Sequence, residues 1–211
     1  MLAYDTHSIV GYEVLYRHRI DFNNKSLMLQ VDIGAVKAAR ALCRYFKNTK
    51  RIHFNAELAS MLNGDWIVEM TKYMSSNMVV EIVERNEPLS HPLNLALVDG
   101  LCSGIRQLGG AIALDDVSGT DLEKFLIDVL KPEILKANNP QSLEFISSTR
   151  SDAIVIAEHI ESPCIANDAV LLGASELQGY WCDVLKENEV PRVLTLPGVM
   201  ARDLRMMTLA A

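Results

Sequence analysis

The sequence predicts an α/β protein in which seven or eight strand–helix units form a (β/α)₈ barrel. Short apolar runs rich in β-branched residues alternate along the 211 residues with longer segments of helical period. Strands that alternate with helices form a largely parallel sheet, and this many units in about 200 residues is near the lower size limit of a barrel. A doubly wound open sheet is the alternative, because periodicity alone does not separate the two folds.

The apolar runs are the predicted strands, and a short additional strand is possible at residues 1–4. The runs are residues 8–17, 51–55, 78–84, 111–116, 133–138, 153–158 and 176–180. The helical segments are residues 26–46, 92–108, 121–130, 140–150 and 162–173. Gly109 and Gly110 end the second of these helices before a strand. Thr120 is a suitable N-cap for the third, which ends before Pro132.

Composition and charge narrow the possible functions. The hydrophobic fraction of 49% and the charged fraction of 22% are ordinary for a globular protein. A net charge of −7 argues against a broad basic face for duplex nucleic acid. The four cysteines form no C-x-x-C pair, as is typical of reduced core cysteines in a cytosolic protein. We therefore expect a cytoplasmic protein, without a signal peptide or direct membrane insertion.

Polar residues follow the predicted strands at or near their carboxyl ends. They are Glu13, Arg17, Asn55, Glu84, Asp115, Asp116, Lys136, Asn138, Glu158, Glu161 and Gln178. In a parallel barrel the carboxyl ends of all strands lie on one face, the barrel mouth, where barrel enzymes place their catalytic groups. We therefore expect these side chains to form one site.

A site with this many carboxylates needs a compensating charge. Repulsion either raises the carboxylate pKa values or is relieved by a bound cation, and oxygen ligands favour Mg²⁺ or Mn²⁺. An acidic cluster with Lys136 and Arg17 suggests two-metal hydrolysis of a phosphate ester, in which Arg17 binds a phosphate oxygen and Lys136 orients water. The alternative is that Lys136 and Glu158 form a structural ion pair. His53 is expected to be an ordinary, partly buried strand residue.

These residues resemble the EAL-domain family of cyclic di-GMP phosphodiesterases. The Glu-Ala-Leu signature of that family corresponds to Glu13-Val14-Leu15, within GYEVLYR. Further motifs occur in the order of the family: HFNAE, VVEIVERNE, IALDDVSG, LKPEILKAN, VIAEHIES and LGASELQGY. The resemblance covers residues 1 to about 182, the expected barrel domain. Residues 183–211 remain as a tail, expected to be a helix packed on the barrel.

The resemblance implies a barrel whose first strand is antiparallel to the others. It also implies hydrolysis of the bacterial second messenger cyclic di-GMP to linear pGpG, with two Mg²⁺ or Mn²⁺ ions. The implied metal ligands are Glu13, Asn55, Glu84, Asp115, Asp116 and Glu158, with Asp115 bridging both ions. The implied catalytic group is Lys136, which contacts the attacking water, together with Glu13 and Glu158.

The resemblance further implies residues that act around this centre. Arg17, Gln178 and Glu161 correspond to substrate-binding or supporting residues. Glu87 corresponds to a glutamate that stabilises the loop after the aspartate pair, and family members often form homodimers near that loop.

Three departures from the family pattern favour a second hypothesis. The family's D-D-F-G-T-G reads DDVSGTD, Asn138 replaces an acid, and His159 replaces a glycine. These changes are typical of a degenerate, inactive EAL domain that acts as a cyclic di-GMP receptor or a protein-interaction module. The enzyme is the preferred hypothesis, because the signature glutamate and the implied ligands are present. Another barrel enzyme with a related acidic cluster is a third possibility.

Overall fold

The computed structural model describes residues 1–3, 8–16, 23–83, 92–150, 152–185 and 207–210. The strands are β1 Leu2–Ala3, β2 Ser8–Ile9, β3 Gly11–Tyr16, β4 Arg51–Ala56, β5 Met78–Ile82, β6 Ala111–Leu114, β7 Ile134–Ala137, β8 Ile154–Ala157, β9 Glu176–Leu177 and β10 Met207–Ala210. The helices are α1 Lys25–Tyr45, α2 Leu58–Met61, α3 Gly64–Tyr73, α4 Pro92–Gln107, α5 Asp121–Leu130, α6 Pro140–Thr149, α7 Pro163–Leu171 and α8 Tyr180–Leu185.

The strands form a nearly closed barrel. Strands β3 to β9 are parallel, and each pairs with the next along the chain. Strand β1 pairs antiparallel with β9, and Met1 reaches the start of β3, where its backbone N donates to Gly11 O at 2.7 Å. The barrel prediction is confirmed, including its antiparallel first strand, and the open doubly wound sheet is not the fold.

The two faces of the strands are buried in different surroundings. Ile52, Phe54 and Val80 belong to the main hydrophobic core, which packs the outside of the barrel against the helices. Alternate residues such as Val79 and Ile156 form a separate apolar cluster inside the barrel. Since successive strand residues point to opposite faces, this alternation fixes which side chains enter the barrel.

Local capping sets where the helices begin. Thr120 and Glu123 form a capping box at the start of α5, which confirms the predicted N-cap. Asn139 and Ser162 cap α6 and α7, and a proline follows each of them at the first helical position. These caps place short, defined loops directly after the strands that carry the polar residues.

The tail differs from its prediction. Residues 207–210 form strand β10, which pairs antiparallel with β3, so the prediction of a helix is wrong there. Helix α8 crosses the expected boundary at residue 182, and residues 186–206 lie outside the described part of the chain. None of the helices that the structure describes is long and apolar enough to span a membrane.

Candidate active site at the carboxyl ends of the strands

Lys136 on β7 is the centre of the site. Its side chain is 1% exposed, and its Nζ lies within 3.3 Å of four carboxylates. The distances are 3.3 Å to Glu13, 3.0 Å to Glu81, 2.8 Å to Asp115 and 3.0 Å to Glu158. We call these five residues the lysine cluster.

Strand alternation brings these side chains together. Glu81 lies two residues after Val79 on β5, and Lys136 two residues after Ile134 on β7, so both share the inner face of the apolar cluster. Asp115 and Glu158 follow β6 and β8 directly, at the barrel mouth. Glu13 faces the same interior from β3. Five strands thus contribute one side chain each.

The cluster has a buried part and a rim. Glu81 is fully buried and Glu13 is 5% exposed, whereas Asp115 and Glu158 are 12% and 11% exposed. The contacts of Lys136 with Glu13 and Glu81 are hydrogen bonds. Asp115 Oδ1 and Glu158 Oε1 form ion pairs with the same Nζ from the more exposed side. The rim carboxylates are therefore the ones that can turn towards a bound cation or ligand.

Two amides fix the signature glutamate. Asn55 Nδ2 donates to Glu13 Oε1 at 2.9 Å, and Gln178 Nε2 donates to Glu13 Oε2 at 2.6 Å. With Lys136, three side chains hold this carboxylate in one orientation. The predicted positions of Glu13, Asn55 and Gln178 in one site are thus what the structure shows.

One lysine does not neutralise four carboxylates, two of them buried and two at the rim, and the pKa values in the cluster reflect this. Burial raises the pKa of Glu158 to about 7, opposed by Lys136 and assisted by Asp115. Burial also raises the pKa of Asp115 and of Glu81, against the effect of Lys136. Burial acts to lower the pKa of Lys136, but the surrounding carboxylates outweigh it and raise that pKa. The cluster therefore retains affinity for further positive charge.

Sequence reasoning missed two members of this network. Glu81 lies inside β5 rather than at its end, and His53 Nδ1 lies 2.7 Å from Glu81 Oε1. Both side chains are fully buried, so the expectation of a partly buried His53 is wrong. Parity could have found His53, which lies two residues before Asn55 on the same strand. Glu81 lies three residues before Glu84, on the opposite parity, so the polar residue noted at the end of that run did not point to it.

The second aspartate is held apart from the lysine cluster. Asp116 has a positive φ of 51°, a left-handed conformation that Asp tolerates better than most residues. Its Oδ1 accepts a hydrogen bond of 3.0 Å from Asn138 Nδ2. Asp115 thus faces Lys136 while Asp116 turns along the rim, where the replacement of an acid by Asn138 supplies a donor instead of a charge.

The loop after β8 supports Gln178. Ile160 N donates to Gln178 O at 3.1 Å, and a Cβ on Gly179 would lie 2.3 Å from Ile160 N. His159 takes a left-handed φ of 55°, which explains the glycine that the family pattern has there. Glu161 is exposed in this loop, and no bond joins it to the described members of the lysine cluster.

Three predicted site residues lie outside the described part of the chain. They are Arg17, Glu84 and Glu87. Their assigned roles stay predictions, and on β5 the glutamate that the structure places next to Lys136 is Glu81.

The donor set suits a hard cation. Glu13, Asp115 and Glu158 supply carboxylate oxygens, and the buried Asn55 Oδ1 has no hydrogen-bond partner within the described residues. However, no group of three His, Cys, Asp or Glu side chains in that part of the chain is already arranged to hold a metal ion. Lys136 occupies the space between the carboxylates, so a cation would bind at the rim.

Comparison with solved structures identifies the fold. The chain matches an EAL domain protein of Listeria monocytogenes EGD-e with a TM-score of 0.69 and 16% identity, over 89% of this chain and 88% of that one. It matches the Bacillus subtilis YkuI protein, which has an EAL domain and was solved with its substrate cyclic di-GMP and calcium. The TM-score is 0.68 and the identity 20%, over 89% of this chain and 56% of YkuI.

A third match is Vibrio cholerae LapD, solved as an S helix-GGDEF-EAL protein bound to cyclic di-GMP. Its TM-score is 0.68 at 18% identity, and the match covers 86% of this chain and 51% of LapD. No family model matches the sequence, and no curated protein sequence is significantly similar to it.

The barrel has the fold of EAL domains, as the sequence motifs implied. At identities of 20% or less, the similarity establishes this fold and leaves the activity to be argued from the site.

Proposed function

We propose that the protein belongs to the EAL-domain family and hydrolyses one phosphodiester bond of cyclic di-GMP to give linear pGpG, with divalent cations. The observation that carries this proposal is the buried Lys136 among four carboxylates at the barrel mouth. A purely structural lysine would need one partner, because each additional buried carboxylate costs desolvation energy. Such an excess of buried charge is typical of a functional site.

The residues present fit a site for Mg²⁺ or Mn²⁺. Oxygens of Asp115, Asp116 and Glu158 at the rim would hold the ions, and Glu13, Asn55 and Glu84 stay predicted ligands. When bound, such ions supply an activated water and stabilise negative charge on phosphate oxygens. The bound calcium in YkuI supports the use of a divalent cation.

The side chains would divide the remaining work between them. Lys136 would stabilise charge that develops on the phosphate, because its ammonium group is fixed and shielded from water. Glu158, at the rim beside Lys136, would accept a proton from the attacking water. Gln178 holds Glu13 in place, and Arg17 and Glu161 stay predicted substrate contacts.

A specific observation favours a second candidate function. The amide of Asn138 donates to Asp116 Oδ1, which occupies one of the oxygens that a second ion would need. A site restricted to one ion would bind cyclic di-GMP without efficient hydrolysis, as a receptor does. A homodimer and a cytoplasmic location remain predictions for either function.

One assay distinguishes the two candidate functions. Purified protein is incubated with cyclic di-GMP and excess Mn²⁺, and pGpG is quantified by chromatography. We expect product from the wild type, none from Glu13→Gln, and unchanged product from the matched surface variant Glu144→Gln, because Glu144 is exposed on α6. Binding of cyclic di-GMP without product in excess Mn²⁺ would reject the enzyme in favour of the receptor.

A further inference from the structure

His53 has a place in the lysine cluster that the proposed chemistry does not use. It lies on β4, its side chain is fully buried inside the barrel, and its Nδ1 is 2.7 Å from Glu81 Oε1. Glu81 Oε2 in turn lies 3.0 Å from Lys136 Nζ. A continuous path of two buried hydrogen bonds therefore connects His53 to the central lysine.

The donor in the first of these bonds is the imidazole. Burial lowers the pKa of His53, with a further effect from Lys136, so the ring is neutral and carries one N–H. His53 Nε2 has no hydrogen-bond partner in the described part of the chain. A buried N–H without a partner is rarer than a buried acceptor without one. The proton is therefore on Nδ1, which donates to Glu81.

This bond leaves Glu81 with no freedom to turn. One of its oxygens accepts from His53 and the other from Lys136. The rim carboxylates of Asp115 and Glu158 are partly exposed instead. Lys136 has three N–H donors, and its hydrogen bonds to Glu13 and Glu81 use two of them.

We propose that His53 is a positioning residue, which fixes Glu81 so that Lys136 keeps its place when the rim carboxylates turn to a cation or substrate. This inference rests on the proposed hydrolysis and adds a residue to it. His53 touches neither substrate nor metal; it acts on Lys136 through Glu81. An outer partner of this kind typically changes activity by about 10–100-fold.

A comparison of two amide variants tests the proposal. In His53→Asn the side-chain amide can donate from the place of Nδ1, whereas in His53→Gln it lies one bond further out, near the place of Nε2. We expect His53→Gln to lower kcat about 10–100-fold with KM changed less than about threefold. We expect His53→Asn to retain kcat within about threefold of the wild type.

A third variant controls for disturbance of the barrel interior. Val79 pairs in register with His53 and is buried in the inner apolar cluster. Val79→Ala creates a cavity there without removing a hydrogen bond, so it should lower the melting temperature and leave kcat unchanged. Equal kcat values for His53→Asn and His53→Gln, or a loss of kcat in Val79→Ala as large as in His53→Gln, would overturn the proposal.

A spectroscopic measurement separates this proposal from the proposed activity. The ammonium ¹⁵N signal of Lys136 can be assigned by its absence in Lys136→Met, without substrate or metal. We expect the signal to shift and its protons to exchange faster in His53→Gln, and to stay close to wild type in His53→Asn. An inactive wild type with this pattern rejects hydrolysis and supports the role of His53, whereas a signal unchanged in His53→Gln rejects that role.

Discussion

Replacing Lys136 by Met removes the only described cation inside the lysine cluster and keeps the length of the side chain. Lys136 Nζ contacts four carboxylates at 2.8 to 3.3 Å. Breaking one buried ion pair costs about 3–5 kcal/mol of unfolding free energy, because the remaining charge stays buried without a partner. We expect a loss of this size at pH 8 in the absence of divalent ions.

The loss depends on pH in a defined direction. Without the ammonium group, the buried carboxylates have folded-state pKa values above their unfolded values, so the folded variant binds more protons than its unfolded chain. Stability from such groups is present below the unfolded pKa and falls as pH rises towards the folded pKa. Each extra proton that the folded state binds changes the free energy of unfolding by about 1.4 kcal/mol per pH unit. The loss should therefore be about 3 kcal/mol smaller at pH 6 than at pH 8.

Urea unfolding of Lys136→Met and wild type at pH 6, 7 and 8 measures this dependence. The fluorescence of Trp66, which is buried on α3, reports the transition. Lys124→Met is the matched control, because Lys124 is exposed on α5, and it should change stability by less than about 0.5 kcal/mol at every pH. A loss in Lys136→Met that is the same at pH 6 and pH 8 would refute the account of the cluster as an excess of buried negative charge.

Three further substitutions test separate features of the molecule. Burial raises the pKa of Asp32 to about 7, so the wild type loses stability as pH rises from about 4 to about 7. Asp32→Asn should therefore raise the free energy of unfolding at pH 8 by up to about 4 kcal/mol. An equal gain at pH 4 would contradict this. Asn138→Asp replaces the amide beside Asp116 with a negative charge. Calorimetry should therefore show an affinity for Mn²⁺ that is about tenfold higher than that of the wild type. An unchanged affinity would reject a cation site at this part of the rim. Gly179→Ala brings a Cβ to 2.3 Å from Ile160 N at a φ of +153°. Thermal unfolding should therefore show a free energy of unfolding lower by about 2–3 kcal/mol. A decrease below about 0.5 kcal/mol would contradict this steric conflict.

The barrel could be predicted because its signal repeats along the whole chain. Each parallel strand needs an apolar run, and each crossover needs a helix, so the alternation itself defines the topology. The short strand β10 could not be predicted, since residues 207–210 pair with β3 through backbone bonds that leave no pattern in four side chains. Helices α2 and α3 fall between residues 56 and 77, where the sequence reading assigned no element.

The site was predictable where polar residues end strands and less so where they lie inside them. Glu13, Asn55 and Lys136 meet as expected. Glu81 and His53 were missed because an acid and a histidine inside an apolar strand normally indicate an exposed face. In a barrel the second face of each strand points into the interior and is buried as well. A polar side chain there needs hydrogen-bond partners, and Glu81 has them in His53 and Lys136.

A crystal of the protein with Mn²⁺ and cyclic di-GMP would show whether the rim of the lysine cluster is a cation-dependent nucleotide site. Anomalous scattering from manganese locates the ions without assumptions about their ligands. We expect manganese bound by the Asp115 carboxylate, and a phosphate of the nucleotide beside Lys136. Manganese absent from the barrel mouth, or a nucleotide bound elsewhere on the molecule, would contradict it.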